Sequence, residues 1–357
     1  MKLVAYSDLH AHPFKNGTLT EHGRNSRVDD AVSVINQAYD HAEKIGAEYV
    51  VFGGDLFDRR KSIDVDTFNR VHSVVSNRSK AVKTLMIPGN HDQANKSGTI
   101  HALQRFGSGD QCIVFSEPVW VELGDGVGLF GIPYYDDGQT ISEYARAGVD
   151  CRPEHIEKAI LLMHYGVYGA KVGPSDYVLP CELNLSMLDP DHWDIILSGH
   201  YHIGQQIGDN FHYIGSAMQH RWDDAGFNKS FLVIDTDDFS LSRTPTVAPR
   251  FVVFKGQVEG DVDNCFVRLV TDYEIEFQEK EKIISTLTEA GAISVEFRYE
   301  PKQEIVHEER ISFSEEKGLY GVVEEYVGSG IVDTDGLDEE RLVSVGKNIL
   351  SQCAINA

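Results

Sequence analysis

Five short apolar runs, each ending in side chains suited to holding a cation, constrain this chain more than any other feature. "KLVAY" (2–6) runs into Asp8 and His10, "YVVFGG" (49–54) into Asp55 and Asp58, and "TLMIPG" (84–89) into Asn90, His91 and Asp92. Later, "AILLM" (159–163) delivers His164, and "DIILSG" (194–199) delivers His200 and His202. Short runs of this kind, rich in Val, Ile and Leu and bounded by Gly or Pro, read as buried strands. Between the first three lie helical stretches. One spans 27–45, with Val28, Ala31, Val34, Ile35, Ala38 and Ala42 on one face, and another 65–76, with Val65, Phe68, Val71, His72 and Val75. Residues 111–134 read as strand, turn, strand, Gly-Asp-Gly turn, strand. Alternation of this type up to about residue 235 predicts an α/β sandwich.

In open α/β sheets ligands sit outside the carboxyl ends of the strands, so five such ends bring these side chains to one crevice. Gly53, Gly54, Gly89 and Gly199 fit that picture, because a backbone turning under a metal site has little room for a Cβ. Imidazole and carboxylate suit Mn, Fe or Zn, and the absence of cysteine from the set leans away from a structural zinc. A carboxylate can bridge two cations. Two ions about 3.5–4 Å apart make a nucleophile from water at neutral pH and stabilise both the attacking and the leaving oxygen of a phosphoryl group.

In this order the blocks D-x-H, G-D, G-N-H-[DE], H and G-H-x-H resemble those of the calcineurin-like metallophosphoesterase superfamily, over roughly residues 1–235. The resemblance implies an α/β/β/α sandwich with two divalent metals, Mn²⁺ foremost, with Mg²⁺, Fe²⁺ or Zn²⁺ as alternatives. It implies that Asp8, His10, Asp55 and His202 hold the first metal, and that Asp55, as the bridge, holds the second with Asn90, His164 and His200. It also implies that His91 reaches the scissile phosphate, with Asp58 or Asp92 orienting it. The first block departs from the usual D-x-H-L-G: here it reads "DLHAHPF", with His12 near the position of the glycine.

"GDLFDRR" and "FHYIGSAMQHRWDDAGFNKSFLVID" narrow the resemblance to the SbcD-type nuclease subunit of double-strand-break repair complexes, especially versions encoded by phages for recombination and DNA degradation. That type implies a phosphoesterase (nuclease) domain at 1–250, a small α+β capping and DNA-binding domain at 251–310, and a helical tail at 311–357. The tail would dock an SbcC-type coiled-coil ATPase. The residues after 250 are compatible with this order. "CFVRLV", "EFQEKEKIISTLTEAG" and "AISVEFRYE" form a β-α-β-like unit. Two amphipathic stripes follow, Leu319, Val322, Val323 and Tyr326, then Leu342, Val345 and Ile349.

The length of 357 residues suits one large domain with a smaller appendage. A formal charge of −24 is unlike a stand-alone nucleic-acid binder, and residues 251–357 hold 10 Lys and Arg against 23 Asp and Glu. A phosphate substrate must therefore be drawn by a local site, by bound cations or by a partner. Arg59, Arg60 and Lys61, just beyond the second block, are the candidate contacts to a DNA backbone, the alternative being a solvated helix start. Five scattered cysteines without a C-x-x-C pair read as reduced thiols. No apolar run reaches the roughly 20 residues of a membrane span, and the N-terminus does not read as a signal peptide. An intracellular protein is expected, in the bacterial host cytoplasm if phage-encoded.

The leading expectation is a metal-dependent DNA nuclease, exonuclease or single-strand endonuclease, whose partners are DNA and the ATPase, with a homodimer left open and no membrane. Two rivals remain. A phosphodiesterase or phosphatase for a small substrate needs no such C-terminal region, and a non-catalytic scaffold for the ATPase has no need of an intact ligand set.

Overall fold

The apolar runs form strands because the chain covers both faces of each sheet they build. In a computed structural model, residues 1–21, 23–107, 109–173, 183–301, 318–328 and 338–355 are described. They divide into two units, Met1–Glu300 and Pro301–Ala357. The strands of the first unit are β1 (Lys2–Tyr6), β2 (Tyr49–Phe52), β3 (Lys83–Met86), β4 (Cys112–Val114), β5 (Val119–Gly124), β6 (Val127–Ile132), β7 (Lys158–His164) and β8 (Ile195–Gly199). Then come β9 (Gln206–Ile207), β10 (Phe211–Tyr213), β11 (Ser230–Asp235), β12 (Ser240–Pro245), β13 (Arg250–Lys255), β14 (Cys265–Thr271) and β15 (Ser294–Tyr299).

The first sheet runs β12-β11-β1-β2-β3-β4 and the second β5-β6-β7-β8-β10-β9. β1 to β4 are mutually parallel, as are β6, β7, β8 and β10. Every residue of β2 and β8 is buried, as expected of parallel strands covered on both sides. Leu3, Ala5, Val51 and Leu85 of the first sheet meet Leu129, Ile160, Leu162 and Leu197 of the second in one apolar layer. Helices α1 (Ser26–Ile45) and α2 (Val65–Arg78) cover the outer face of the first sheet, and α3 (Gly138–Asp150) that of the second. The result is an α/β/β/α sandwich.

Local signals set the helix ends. The Asn25 side chain caps α1 by accepting the Arg27 N–H, and Gly46 at φ 66° closes it through bonds to the Ala42 and Glu43 carbonyls. Asp64 caps α2 at Thr67.

A third sheet, β13-β14-β15, is wholly parallel and carries α4 (Phe277–Glu289) on one face, through Val262, Val267 and Leu287. The β-α-β reading of the sequence corresponds to β14, α4 and β15, whereas β13 was not singled out by its pattern. On the other face Phe251 and Phe266 stack at 4.7 Å, and Trp222 meets Phe251 edge-on at 4.9 Å. The Arg268 guanidinium lies 4.0 Å over Trp222 and that of Arg27 5.4 Å over Phe266. Segment 215–229 is thus held between the third sheet and the sandwich.

In the second unit α5 (Gly318–Gly328) and α6 (Glu339–Ile355) pair through a Lys347–Glu324 ion pair and close contact of Gly346 with Val323. The expected boundary at 310 and the link at 329–337 lie outside the described residues. Among the described residues no helix is long and apolar enough to cross a membrane.

Candidate metal centre

Parallel pairing puts the carboxyl ends of β1, β2 and β3 on one edge of the first sheet, and those of β7 and β8 on one edge of the second. The two edges meet, and the His164 Nδ1 at the end of β7 lies 2.7 Å from the Gly53 carbonyl just beyond β2. Asp8, His10, Asp55 and His200 have φ of 50°, 46°, 60° and 85°. Eight non-glycine residues among those described adopt positive φ, so half of these strained positions fall at one place, as strain does at functional sites. The glycines make room. A Cβ on Gly89 would lie 2.2 Å from Asp55 Oδ1, and one on Gly199 2.3 Å from both the Gly53 carbonyl and Ser7 Oγ.

All seven expected ligands converge. Donor atoms of Asp8, His10 and His202 lie within 4.8 Å of one another, as do those of Asp8, Asp55 and His164 and those of His10, Asp55 and His91. The His10 and His202 Nε2 atoms face each other at 3.1 Å. His164 Nε2 and His200 Nδ1 lie 3.2 and 3.1 Å from Asn90 Oδ1. Asp55 joins the two halves, with Oδ2 3.7 Å from His10 Nε2 and 3.3 Å from His164 Nε2. Opposed imidazole lone pairs around buried carboxylates, with no cysteine, are the donor chemistry of two divalent cations.

Burial strips His10 of water and pushes its pKa well down against the pull of Asp55, while burial and the His164 ring push His200 to about 3. Both rings are therefore neutral and able to donate a lone pair. Burial would raise Asp55, but the His164 and His10 imidazoles prevail and hold its carboxyl below the usual range. His164 is raised to about 9, because the Asp55 and Asp8 carboxylates outweigh its burial. A cation held between these groups would take the place of the His164 proton.

His91 differs from its expected setting. Its Nδ1 lies 2.5 Å from the backbone carbonyl of Asp58. A carbonyl only accepts, so the proton sits on Nδ1 and Nε2 is the acceptor. Neither the Asp58 nor the Asp92 carboxylate fills the orienting role expected of it. The Asp58 carboxylate stands 3.7 Å from His10 Nδ1. Asp92 is buried, and its carboxylate accepts the N–H groups of Asp55, Leu56, Phe57 and Gly89 at 2.8–3.1 Å. The turn "GDLF" aims successive amides inward, a nest that needs an anion. Burial and the nearby Asp55 nonetheless raise Asp92 to about 7.

Other expected residues lie at the margin. Arg59, Arg60 and Lys61 are exposed between β2 and α2. His12 is half-buried and edge-on to Phe14 at 5.1 Å, outside the donor groups.

Three groups at the centre escape the sequence motifs. His220 is buried with Nε2 2.9 Å from the Asp8 carbonyl, and its ring is 5.2 and 5.4 Å from those of His10 and His202. Asp224 Oδ1 lies 3.6 Å from His202 Nδ1 and accepts from Lys229 at 2.7 Å, while Lys229 also donates to the His202 carbonyl at 3.0 Å. A carboxylate behind a ligand histidine orients the ring and raises its basicity. The only sequence signal was an acid and a lysine five residues apart after the last histidine block. Asp224→Asn alone leaves a buried lysine unpaired, so Asp224→Asn/Lys229→Met is the cleaner variant. It is expected to fold and to lose roughly 10–100-fold in metal affinity, measured by titration of the metal-free protein.

A family model for calcineurin-like phosphoesterases matches residues 1–204. The 078R protein of Invertebrate iridescent virus 3, named as a phosphoesterase, is 24% identical over 278 residues, 72% of this chain and 76% of that one. A subunit of the nuclease SbcCD from Staphylococcus epidermidis is 23% identical over 289 residues, 74% of each chain. Exonuclease subunit 1 of Enterobacteria phage T4 is 24% identical over 337 residues, 88% of this chain and 90% of that one. The family match runs from the first strand to just past His202 and so takes in every donor in the cluster, and on that match the chain belongs to the calcineurin-like phosphoesterase family.

Proposed function

We propose that this chain is a metal-dependent DNA nuclease and the nuclease subunit of an SbcCD-like complex with a coiled-coil ATPase. The observation that carries this reading is the reach of the similarity to the T4 exonuclease subunit, which extends far beyond residue 204, where the phosphoesterase match stops. In this reading Asp8, His10 and His202 would hold one cation and Asn90, His164 and His200 the other, with Asp55 shared between them. Mn²⁺ is the ion put first, with Mg²⁺, Fe²⁺ or Zn²⁺ as alternatives. When bound, the cations polarise the phosphoryl oxygens and lower the pKa of an attacking water. Once Nε2 takes up a proton, the His91 imidazolium donates it in a hydrogen bond to the phosphate or passes it to the leaving oxygen, with Nδ1–H still on the Asp58 carbonyl. Asp92 keeps the turn bearing Asp55 in place, and Arg59, Arg60 and Lys61 meet the DNA backbone.

Residues 1–250 form the nuclease domain, 251–310 the cap and 311–357 the ATPase-docking tail. The ATPase supplies the basic surface that a chain of charge −24 lacks, and the complex works in the cytoplasm.

The purified chain with Mn²⁺ is expected to hydrolyse a chromogenic phosphodiester and single-stranded DNA, and to stop on chelation. Hydrolysis of phosphomonoesters alone would overturn the reading. A chain ending near residue 310 is expected to stay folded, since Met1–Glu300 is a compact unit. It should keep its activity on single strands yet fail to co-purify with the ATPase. Normal ATPase binding by the truncated chain would count against the docking role.

A further inference from the structure

A cleft of about 460 Å³ opens beside the metal centre where two loops meet. Arg60 and Lys61 come from the loop after β2, and Lys96 from the stretch that follows Asp92. Tyr134 forms the wall nearest the donors, its ring 6.3 Å from those of His164 and His200. The Tyr134 backbone is held in place, because the Gln93 side chain donates to the Tyr134 carbonyl at 2.6 Å and the Tyr134 N–H bonds the Pro88 carbonyl at 3.0 Å. Among the described residues neither Arg60, Lys61 nor Lys96 is ion-paired, in a chain with 56 Asp and Glu against 32 Lys and Arg. Where acids are in such excess, three unpaired cations converging on one cleft, opposed by Asp136 alone in its lining, make a local positive field beside a phosphoesterase centre. A separate cleft of about 440 Å³ reaches His200 and His202. Substrate atoms therefore have room on more than one flank of the donors, as a chain substrate requires and a small ester does not.

We propose that the Arg60, Lys61 and Lys96 cleft is a subsite for the nucleotide adjoining the scissile bond of a single DNA strand. The three cations bind its non-scissile phosphate, and Tyr134 offers its face to the base. Phosphate contacts of this kind position a strand without reading its sequence, and stacking on an aromatic ring tolerates every base. The inference rests on the nuclease reading above and adds to it a place for the strand beyond the reacting phosphate.

The test uses the full-length chain with Mn²⁺ and compares kcat/KM on a single-stranded decanucleotide with kcat/KM on a chromogenic phosphodiester. In Lys61→Gln/Lys96→Gln, where both side chains are exposed, the ratio of the two is expected to fall roughly tenfold or more. The salt slope of oligonucleotide binding should fall by up to about 0.7, because the cations share one phosphate. Lys61→Arg/Lys96→Arg should retain the wild-type ratio, and Tyr134→Leu should lower it while leaving the salt slope unaltered. If the wild type cuts the oligonucleotide and the double glutamine variant keeps both ratio and slope, the subsite is wrong and the nuclease reading stands. If the wild type hydrolyses the chromogenic diester but no oligonucleotide, the nuclease reading falls and takes the subsite with it.

Discussion

Asp55→Asn is expected to empty both metal positions and to remove hydrolysis more completely than loss of any other single donor. One oxygen of this carboxylate stands 3.3 Å from His164 and 3.7 Å from His10, one imidazole from each half of the cluster. The other accepts the His91 N–H at 2.7 Å. A bridging carboxylate attracts both cations and offsets their mutual repulsion, and a neutral amide of the same shape does neither. The fold should survive, because Asn tolerates the left-handed backbone that Asp55 occupies at φ 60°. The loss should exceed the 10–100-fold typical of removing a group that only orients a ligand. Elemental analysis and thermal unfolding check it together. Mn²⁺ should raise the unfolding temperature of the wild type, since a ligand that binds only the folded chain stabilises it, and should leave that of Asp55→Asn unchanged. A variant that kept two tightly bound ions and near-normal turnover would refute the dinuclear assignment.

His91→Ala is expected to lower turnover by about 10²–10⁴-fold with metal content near normal, the span of a lost general acid or base. The geometry makes metal content the decisive readout. His91 lies within ligand distance of His10 and Asp55, yet its ring is tied through Nδ1 to the Asp58 carbonyl. If Nε2 serves the phosphate, the cations stay and only the chemistry slows. A metal-poor His91→Ala protein would instead make His91 a ligand.

Much of the fold and of the donor set was legible in the residues. "YVVF" and "IILSG" have no polar face, so they had to be strands buried on both sides, and their sharp change to Gly, Asp and His marked where the sheets end. Strand ends in parallel sheets share an edge, so Asp8, Asp55, Asn90, His164 and His200 could be assigned to one place without knowing how the sheets stack. The apolar stripe of α1 likewise fixed which face is buried, from Val28 to Ala42.

What escaped reading depends on contacts between distant segments. Asp92 read as one of two groups to orient His91, and only the inward turn of the "GDLF" amides shows its carboxylate to be an anchor. His220 bonds a carbonyl 212 residues away, and Asp224 meets His202 because segment 215–229 is clasped between the sandwich and the third sheet. Tyr134 reaches the donors from the end of β6, a strand with no metal-binding block of its own. The amino-acid sequence by itself determined which side chains lie at strand ends, because periodicity and burial are local properties. Only the tertiary structure decided which of them touch, because the stacking of two sheets and the docking of a third bring together residues whose spacing along the chain carries no signal.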